Sequence, residues 1–321
     1  MNRATREAYR ETLLGLLRRH PELICLDTDT GLFSADHAAA AGDQYLNLGI
    51  AEHALMGVGA GMAASGRVPF VNTMAAFAAS RALEAIKIDI AYNRLPVRIM
   101  ATHGGLSAGH LGPTHQALED LAVMRVLPGM TVVVPADAAA TEAFVEQSMH
   151  LAGPLYVRLG RKPTPALPPG PPPVIGQAQT LRQGADVVLV SCGPYPVLAC
   201  LAAAETLAGE GVEATVLNMH TLRPFDTRTL VAAAGPARLV VTLEEHWRGG
   251  GLGGAVAETL AEAAPRRVLR LGLPDHFVDQ VGNQEHLVAH YDLTAERVVS
   301  SVRAALDSAA RCGRTDRKEY H

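Results

Sequence analysis

The 321-residue sequence predicts an α/β protein of two domains, each built around a mainly parallel sheet. Three observations carry this. Short runs rich in Val, Ile and Leu alternate with longer helix-like stretches. The runs are mostly apolar, as strands covered on both faces require. Pro163, Pro165, Pro168, Pro169, Pro171, Pro172 and Pro173 then interrupt the rhythm, which restarts beyond them. A run of that kind cannot be helix or central strand and reads as an extended linker.

The elements follow in order. Residues 3–19 read as an amphipathic helix with Leu13, Leu14, Leu16 and Leu17 on or near one face. Leu23-Ile-Cys-Leu26 is a short strand that runs out at Asp27 and Asp29. A Gly/Ala-rich helix over 51–64, a strand over 68–71, a helix over 76–91 and strands over 97–100, 131–134 and 155–159 complete the first unit. The second has strands over 187–190, 214–217, 239–243 and 268–271, with helices over 195–209, 227–234, about 253–263 and 294–309. The expected division is 1–162, a linker over 163–180, a second domain over 181–311 and a polar tail over 312–321.

Composition narrows the function classes. Hydrophobic residues make up 48% and charged residues 19%, ordinary for a globular chain with a full core. A net charge of −4 gives no basic footprint for nucleic acid. No apolar run reaches the roughly 18 residues a membrane span needs, and the start lacks a signal peptide's apolar core. Cys25, Cys192, Cys200 and Cys312 form no CxxC and no metal spacing, so a reducing cytoplasm is the simple expectation.

Two segments carry chemistry. Asn47-Leu-Gly-Ile-Ala-Glu52-His53 sets one carboxylate before an apolar, glycine-rich helix, where desolvation favours the protonated acid. The same glutamate also fits a helix N-terminal acid favoured by the macrodipole. His103, His110 and His115 crowd a glycine-rich loop after a strand, where α/β folds place ligands and where imidazoles can donate to phosphate or move protons. Their spacing is not a strong zinc pattern. Gly57-Val-Gly-Ala-Gly61 lies inside a helix rather than after a strand, so close helix packing explains it better than dinucleotide binding. Gly105-Leu-Ser107-Ala-Gly109 matches a nucleophile elbow, but Pro113 argues for a loop where an elbow needs a helix. Arg6 and Arg161 can each fork an anion or be solvated surface residues. Gly249-Gly-Gly-Leu-Gly-Gly254 reads as a flexible turn before a helix, with no lysine to make a phosphate loop.

Taken together these motifs resemble the transketolase family. The resemblance rests on Ala4-Thr-Arg6-Glu-Ala-Tyr9, Asp27-Thr-Asp29, Gly49-Ile-Ala-Glu52-His53, Thr102-His103-Gly-Gly, Gly112-Pro-Thr-His115-Gln-Ala-Leu-Glu119-Asp120 and Pro135-Ala-Asp137-Ala, with Leu243-Glu-Glu245-His-Trp-Arg-Gly-Gly-Gly251 beyond the linker. It covers about residues 3 to 305. It implies a thiamine-diphosphate pyrimidine-binding domain followed by a transketolase C-terminal α/β domain. The family's Gly-Asp-Gly…Asn motif for magnesium and diphosphate is missing; Gly42-Asp43-Gln44 is a faint echo in the wrong place. The chain thus looks like the C-terminal subunit of a split transketolase. An N-terminal partner subunit would hold the diphosphate and Mg2+, in an α2β2 assembly with self-association through this chain. No metal ligand is expected on this chain.

The resemblance also implies roles. Glu52 would bond the pyrimidine ring nitrogen, Phe77 would stack on that ring, and Met74 and Ser80 replace aromatics that often line the pocket. Asp29 would lie near the cofactor. His103 and His115 would act on substrate oxygens, with Arg6, Arg161 and His103 holding a sugar phosphate. Glu52, His103 and His115 would be the catalytic set. Two departures touch the substrate. The family's loop commonly reads Gly-Glu-Asp-Gly-Pro, but here His110 and Leu111 stand in it, and Leu111 cannot accept a hydrogen bond from a sugar hydroxyl. Phe33 stands where a phosphate-binding serine is often found, with Ser34 beside it. The implied reaction is transfer of a two-carbon ketol unit from a ketose, or ketose phosphate, to an aldose. The alternatives are the β subunit of a 2-oxoacid dehydrogenase, a deoxyxylulose-phosphate-synthase-like fragment, a non-catalytic partner subunit and, furthest away, a serine hydrolase using Ser107.

Overall fold

A computed structural model describes the backbone of residues 2–315 and the side chains of residues 2–308. In chain order the first half runs α1 (Thr5–Leu17), β1 (Leu23–Asp27), α2 (Ala35–Ala41), β2 (Tyr45–Asn47), α3 (Glu52–Ala64), β3 (Val68–Met74), α4 (Ala75–Ala78), α5 (Leu83–Ala85), β4 (Arg98–Thr102), α6 (Asp120–Val126), β5 (Thr131–Val133), α7 (Ala138–Ser148) and β6 (Leu155–Arg158). The second runs β7 (Gln179–Arg182), β8 (Val187–Ser191), α8 (Pro194–Ala208), β9 (Ala214–Asn218), β10 (Thr221–Arg223), α9 (Thr227–Ala234), β11 (Leu239–Trp247), α10 (Leu252–Ala263), β12 (Val268–Leu273), α11 (Gln284–His290) and α12 (Ala295–Thr315).

These strands form two sheets, ordered β10-β5-β6-β4-β3-β1-β2 and β12-β11-β8-β9-β7. Every pairing is parallel except β10 with β5 and β7 with β9, each at a sheet edge. β10 lies beyond the proline run yet closes the edge of the first sheet. The two sheets also share one apolar core: Leu121, Met124 and Val132 belong to the same buried cluster as Val190, Leu217, Leu252 and Val256. Burying them together ties the two halves by the hydrophobic effect.

Three expectations are corrected in detail. The single helix over 76–91 is broken into α4, α5 and a wide π-type stretch over 86–91. At the break, Ser80 Oγ donates to Ala76 O at 2.6 Å, a back-bond that bends helices. The extended proline segment is fastened to α7, where Leu167 N donates to Asp137 Oδ2 and Gln147 binds the backbone of Pro173 and Ile175. β7 begins at Gln179, inside the span read as linker. α12 continues through Thr315, past the start of the expected tail, and residues 316–321 lie outside the described residues.

Among the described residues no helix is long and apolar enough to cross a membrane. The glycines of α3 serve packing: a Cβ on Gly59 would lie 2.9 Å from Val71 Cγ2 of β3.

Candidate functional site

The parallel sheet decides where the chemistry sits. β1, β2, β3, β4 and β6 run the same way, so their carboxyl ends share one edge. Asp29 follows β1, Glu52 follows β2, Met74 ends β3, His103 follows β4 and Arg161 follows β6. Residues distant in sequence therefore gather along one edge, the usual ligand edge of an α/β sheet. Arg6 joins them from α1, because Thr5 Oγ1 accepts from Gly160 N at 2.8 Å and Arg6 N donates to Gly160 O at 3.3 Å.

Glu52 opens α3 and is 4% exposed. Its Oε1 is buried without a hydrogen-bond partner, and Arg81 Nη1 stands 3.8 Å away, beyond hydrogen-bonding reach. The Arg81 guanidinium lies over the Phe77 ring at 4.7 Å, a cation–π distance. Phe77 in turn meets the His115 ring edge-on at 5.2 Å. A continuous chain of contacts thus joins the carboxylate to the histidine loop. Met74 pairs with Thr102 across β3 and β4, one residue before His103.

At the other end His103 is buried, with its Nδ1 3.0 Å from Thr102 Oγ1. Burial first, then the charges of Arg6 and Arg161 and the nearby His110 and His115, pull its pKa down to about 3. It is therefore neutral at cellular pH and can donate with one ring nitrogen and accept with the other. Burial, then Arg161, also lowers the Arg6 pKa, and Arg6 Nε is buried without an acceptor. Arg161 Nη1 is 2.9 Å from His110 Nε2. Arg6, Arg161, His103, His110 and His115 are thus one cluster rich in donors and poor in negative charge. Buried polar atoms normally find partners. Here Glu52 Oε1, Thr73 Oγ1, Arg6 Nε and the Gln116 amide, along the ligand edge, do not. An aromatic ring with a basic nitrogen at Glu52 and Phe77 would satisfy Glu52 Oε1, and an anionic substrate at the arginines would satisfy Arg6 Nε; the residues fit a pyrimidine-type cofactor.

Other candidates have local partners or are exposed. Phe33 packs against Tyr45, and Ser34 is spent capping α2 in a reciprocal box with His37. This corner is tied to α1 by Arg10 Nη1, which donates to Leu32 O at 3.4 Å. Ser80 is engaged with Ala76, Asp29 is exposed, and Leu111 stands 41% exposed at the loop tip. Ser107 is buried and donates to Gly104 O, with a single 3-10 turn after it rather than the helix an elbow needs. Among the described residues no three His, Cys, Asp or Glu side chains are grouped to hold a metal ion.

Sequence reasoning missed several supporting groups. Arg81 gave no signal of its own. Arg158 did, as a cation inside the apolar strand Leu155-Tyr-Val-Arg158, since a buried charge needs a partner. Its partner is Asp120, 3.1 Å away, which also accepts from Tyr156 Oη at 2.7 Å. Asp27, beside the Asp29 chosen from sequence, is buried, and burial pushes its pKa up to about 6 against hydrogen bonds from Thr30 and Tyr45.

Comparison with known proteins agrees with this architecture. Residues 1–165 match the model described as transketolase, pyrimidine binding domain, and residues 176–298 match transketolase, C-terminal domain. The chain is 37% identical over 299 residues to an apulose-4-phosphate transketolase subunit of Phocaeicola vulgatus, covering 92% of this chain and 95% of that one. It is 36% identical over 299 residues to the 6-deoxy-6-sulfo-D-fructose transketolase subunit SqwH of a Clostridium species, covering 92% of each. Among solved structures it superposes on a split-gene transketolase, an inactive β4 tetramer, with a TM-score of 0.86 and 42% identity, covering 96% of this chain and 99% of that one.

Proposed function

The chain belongs to the transketolase family, and we propose that it is the C-terminal subunit of a split transketolase that moves a two-carbon ketol unit from a ketose to an aldose. The observation that carries this reading is the buried, unpartnered Glu52 Oε1, linked through Arg81 and Phe77 to the histidine–arginine cluster.

Thiamine diphosphate, the family's cofactor, would supply the electron sink for breaking a carbon–carbon bond beside a carbonyl. Glu52 would hold the proton shared with the ring nitrogen and Phe77 the flat face of the ring. Neutral His103, together with His115, would exchange protons with substrate oxygens as a general acid–base group. Arg6 and Arg161 would fork a substrate phosphate. Leu111 offers that substrate no acceptor, which favours a sugar unlike ordinary pentose and hexose phosphates; the two subunit relatives act on unusual sugars by name.

The diphosphate and Mg2+ are assigned to a partner, a reading supported by relatives named as transketolase subunits and by the split-gene transketolase structure. Exposed Leu46 (43%), Ile50 (70%), Ile88 (45%) and Tyr92 (82%) flank the Glu52 helix and support a partner surface there. An α2β2 assembly and a cytoplasmic setting complete the proposal.

The test is reconstitution with the N-terminal subunit and assay of ketol transfer over a panel of sugars and sugar phosphates. Transfer should occur only with both subunits, and Glu52→Gln should lower it at least about a hundredfold. Release of carbon dioxide from a 2-oxoacid without ketol transfer would contradict the proposal.

A further inference from the structure

The second domain reaches the histidine loop directly. Adjacent residues of β11 point to opposite faces of its sheet. Glu244 faces its own domain, where its carboxylate accepts from Leu252 N at 2.6 Å and Gly253 N at 2.8 Å at the start of α10. Glu245 faces the first domain. Its Oε1 accepts from Leu106 N at 2.6 Å, inside the loop that runs from His103 to His115. Gln284 of α11 fixes the same carboxylate from behind, donating to Oε1 at 2.8 Å and Oε2 at 3.1 Å.

The loop sequence is fitted to this grip. A Cβ on Gly104 would lie 2.4 Å from Arg158 Cγ, and one on Gly105 would lie 2.6 Å from Glu245 Oε1. Gly105 also has φ +61°, open to glycine at little cost. The paired glycines after His103 are therefore the space through which two buried side chains close on the backbone. Arg158 Nη1 donates to Glu245 O at 3.0 Å and pairs with Asp120 at the loop's far end. The second domain also holds the loop at Gly109, whose carbonyl accepts from Gly282 N at 3.2 Å, and at Leu118, whose carbonyl accepts from Trp247 N at 3.1 Å. His103 itself sits at φ +60°, a backbone that a non-glycine residue keeps only when its surroundings impose it.

We infer that Glu245 is a positioning residue: through Leu106 N–H it clamps the His103–His115 loop, so the C-terminal domain sets the geometry of the substrate-contacting histidines. The functional part of this inference rests on the role proposed above for that loop.

Hydrogen exchange of the full chain reads the clamp without any activity. Glu245→Ala should speed exchange of the amides over 104–111 about tenfold or more, the loss expected for one buried hydrogen bond. Glu245→Gln keeps an acceptor for Leu106 N–H and should restore most of the protection, although its charge is gone. Glu244→Ala should lower the unfolding midpoint and leave loop exchange unchanged. A merely structural Glu245 would instead make loop exchange follow the unfolding midpoint across all three variants, and that result would overturn the inference. If Glu245→Ala does not fold, Gln284→Ala carries the same test, and unchanged exchange over 104–111 would overturn it equally. In the reconstituted enzyme, kcat/KM should fall as loop exchange rises. A loosened loop with undiminished kcat/KM would support the clamp and count against the loop's proposed role in substrate contact.

Discussion

Burial beside two arginines keeps His103 neutral, and this has a consequence for folding. A histidine in an unfolded chain titrates near pH 6.5, whereas folded His103 titrates at about 3. Between those values the unfolded state binds a proton that the native state refuses, so the stability His103 contributes is complete above about pH 6.5 and is lost as pH falls. Buried His220, lowered to about 4 by desolvation, acts in the same direction. Asp27 opposes them: with its pKa raised to about 6, it favours folding as pH falls from there toward the ordinary carboxylate range. His103→Asn should therefore flatten the fall of unfolding free energy between pH 6 and 4 by up to about one proton, about 1.4 kcal/mol per pH unit, in urea melts across that range. An unchanged slope would mean that His103 is not held neutral. Glu52 was legible in the sequence as a lone carboxylate before an apolar, glycine-rich helix, and the three histidines as a cluster in a glycine-rich loop after a strand. Arg81 and Arg158 took on meaning only in the fold, because Glu52 and Asp120 are brought to them by strand order, which no local pattern encodes.

Long periodic elements were easiest to anticipate. α1, α3, α8 and α10 lie within a few residues of their expected bounds because each has an apolar face or run to bury. β2 and β10 were not anticipated, since three residues carry too little periodicity to register. The helix over 76–91 failed at Ser80, whose hydroxyl competes for a helix carbonyl. That break lies beside Arg81, within the chain of contacts to Glu52. Packing at the element scale gives its own expectation. Gly59 of α3 rests against Val71 of β3, where a Cβ would stand 2.9 Å from Cγ2. Gly59→Ala should lower stability by about 1–3 kcal/mol in denaturant melts, the range for an overpacked core. Stability equal to that of the parent chain would show that α3 shifts freely on the sheet.

Across the whole molecule the two domains act as one support for the site. β10 crosses from the second half of the chain to the edge of the first sheet, and the apolar core continues between the sheets. Arg125 of α6 reaches over to Glu258 of α10 and to the carbonyl of Gly250. Two α/β units were legible from the restart of the strand–helix rhythm after the prolines; the crossing strand and the shared core were not, because both depend on how the units meet. The central proposal is a division of labour between chains, in which this one would hold the pyrimidine end and the substrate at the histidine–arginine cluster, and a partner would hold the diphosphate and its metal. Calorimetric titration of thiamine diphosphate with Mg2+ tests it most directly, first into this chain alone and then into its mixture with the N-terminal subunit. Tight binding only in the mixture is the predicted result; equally tight binding by the isolated chain would contradict it.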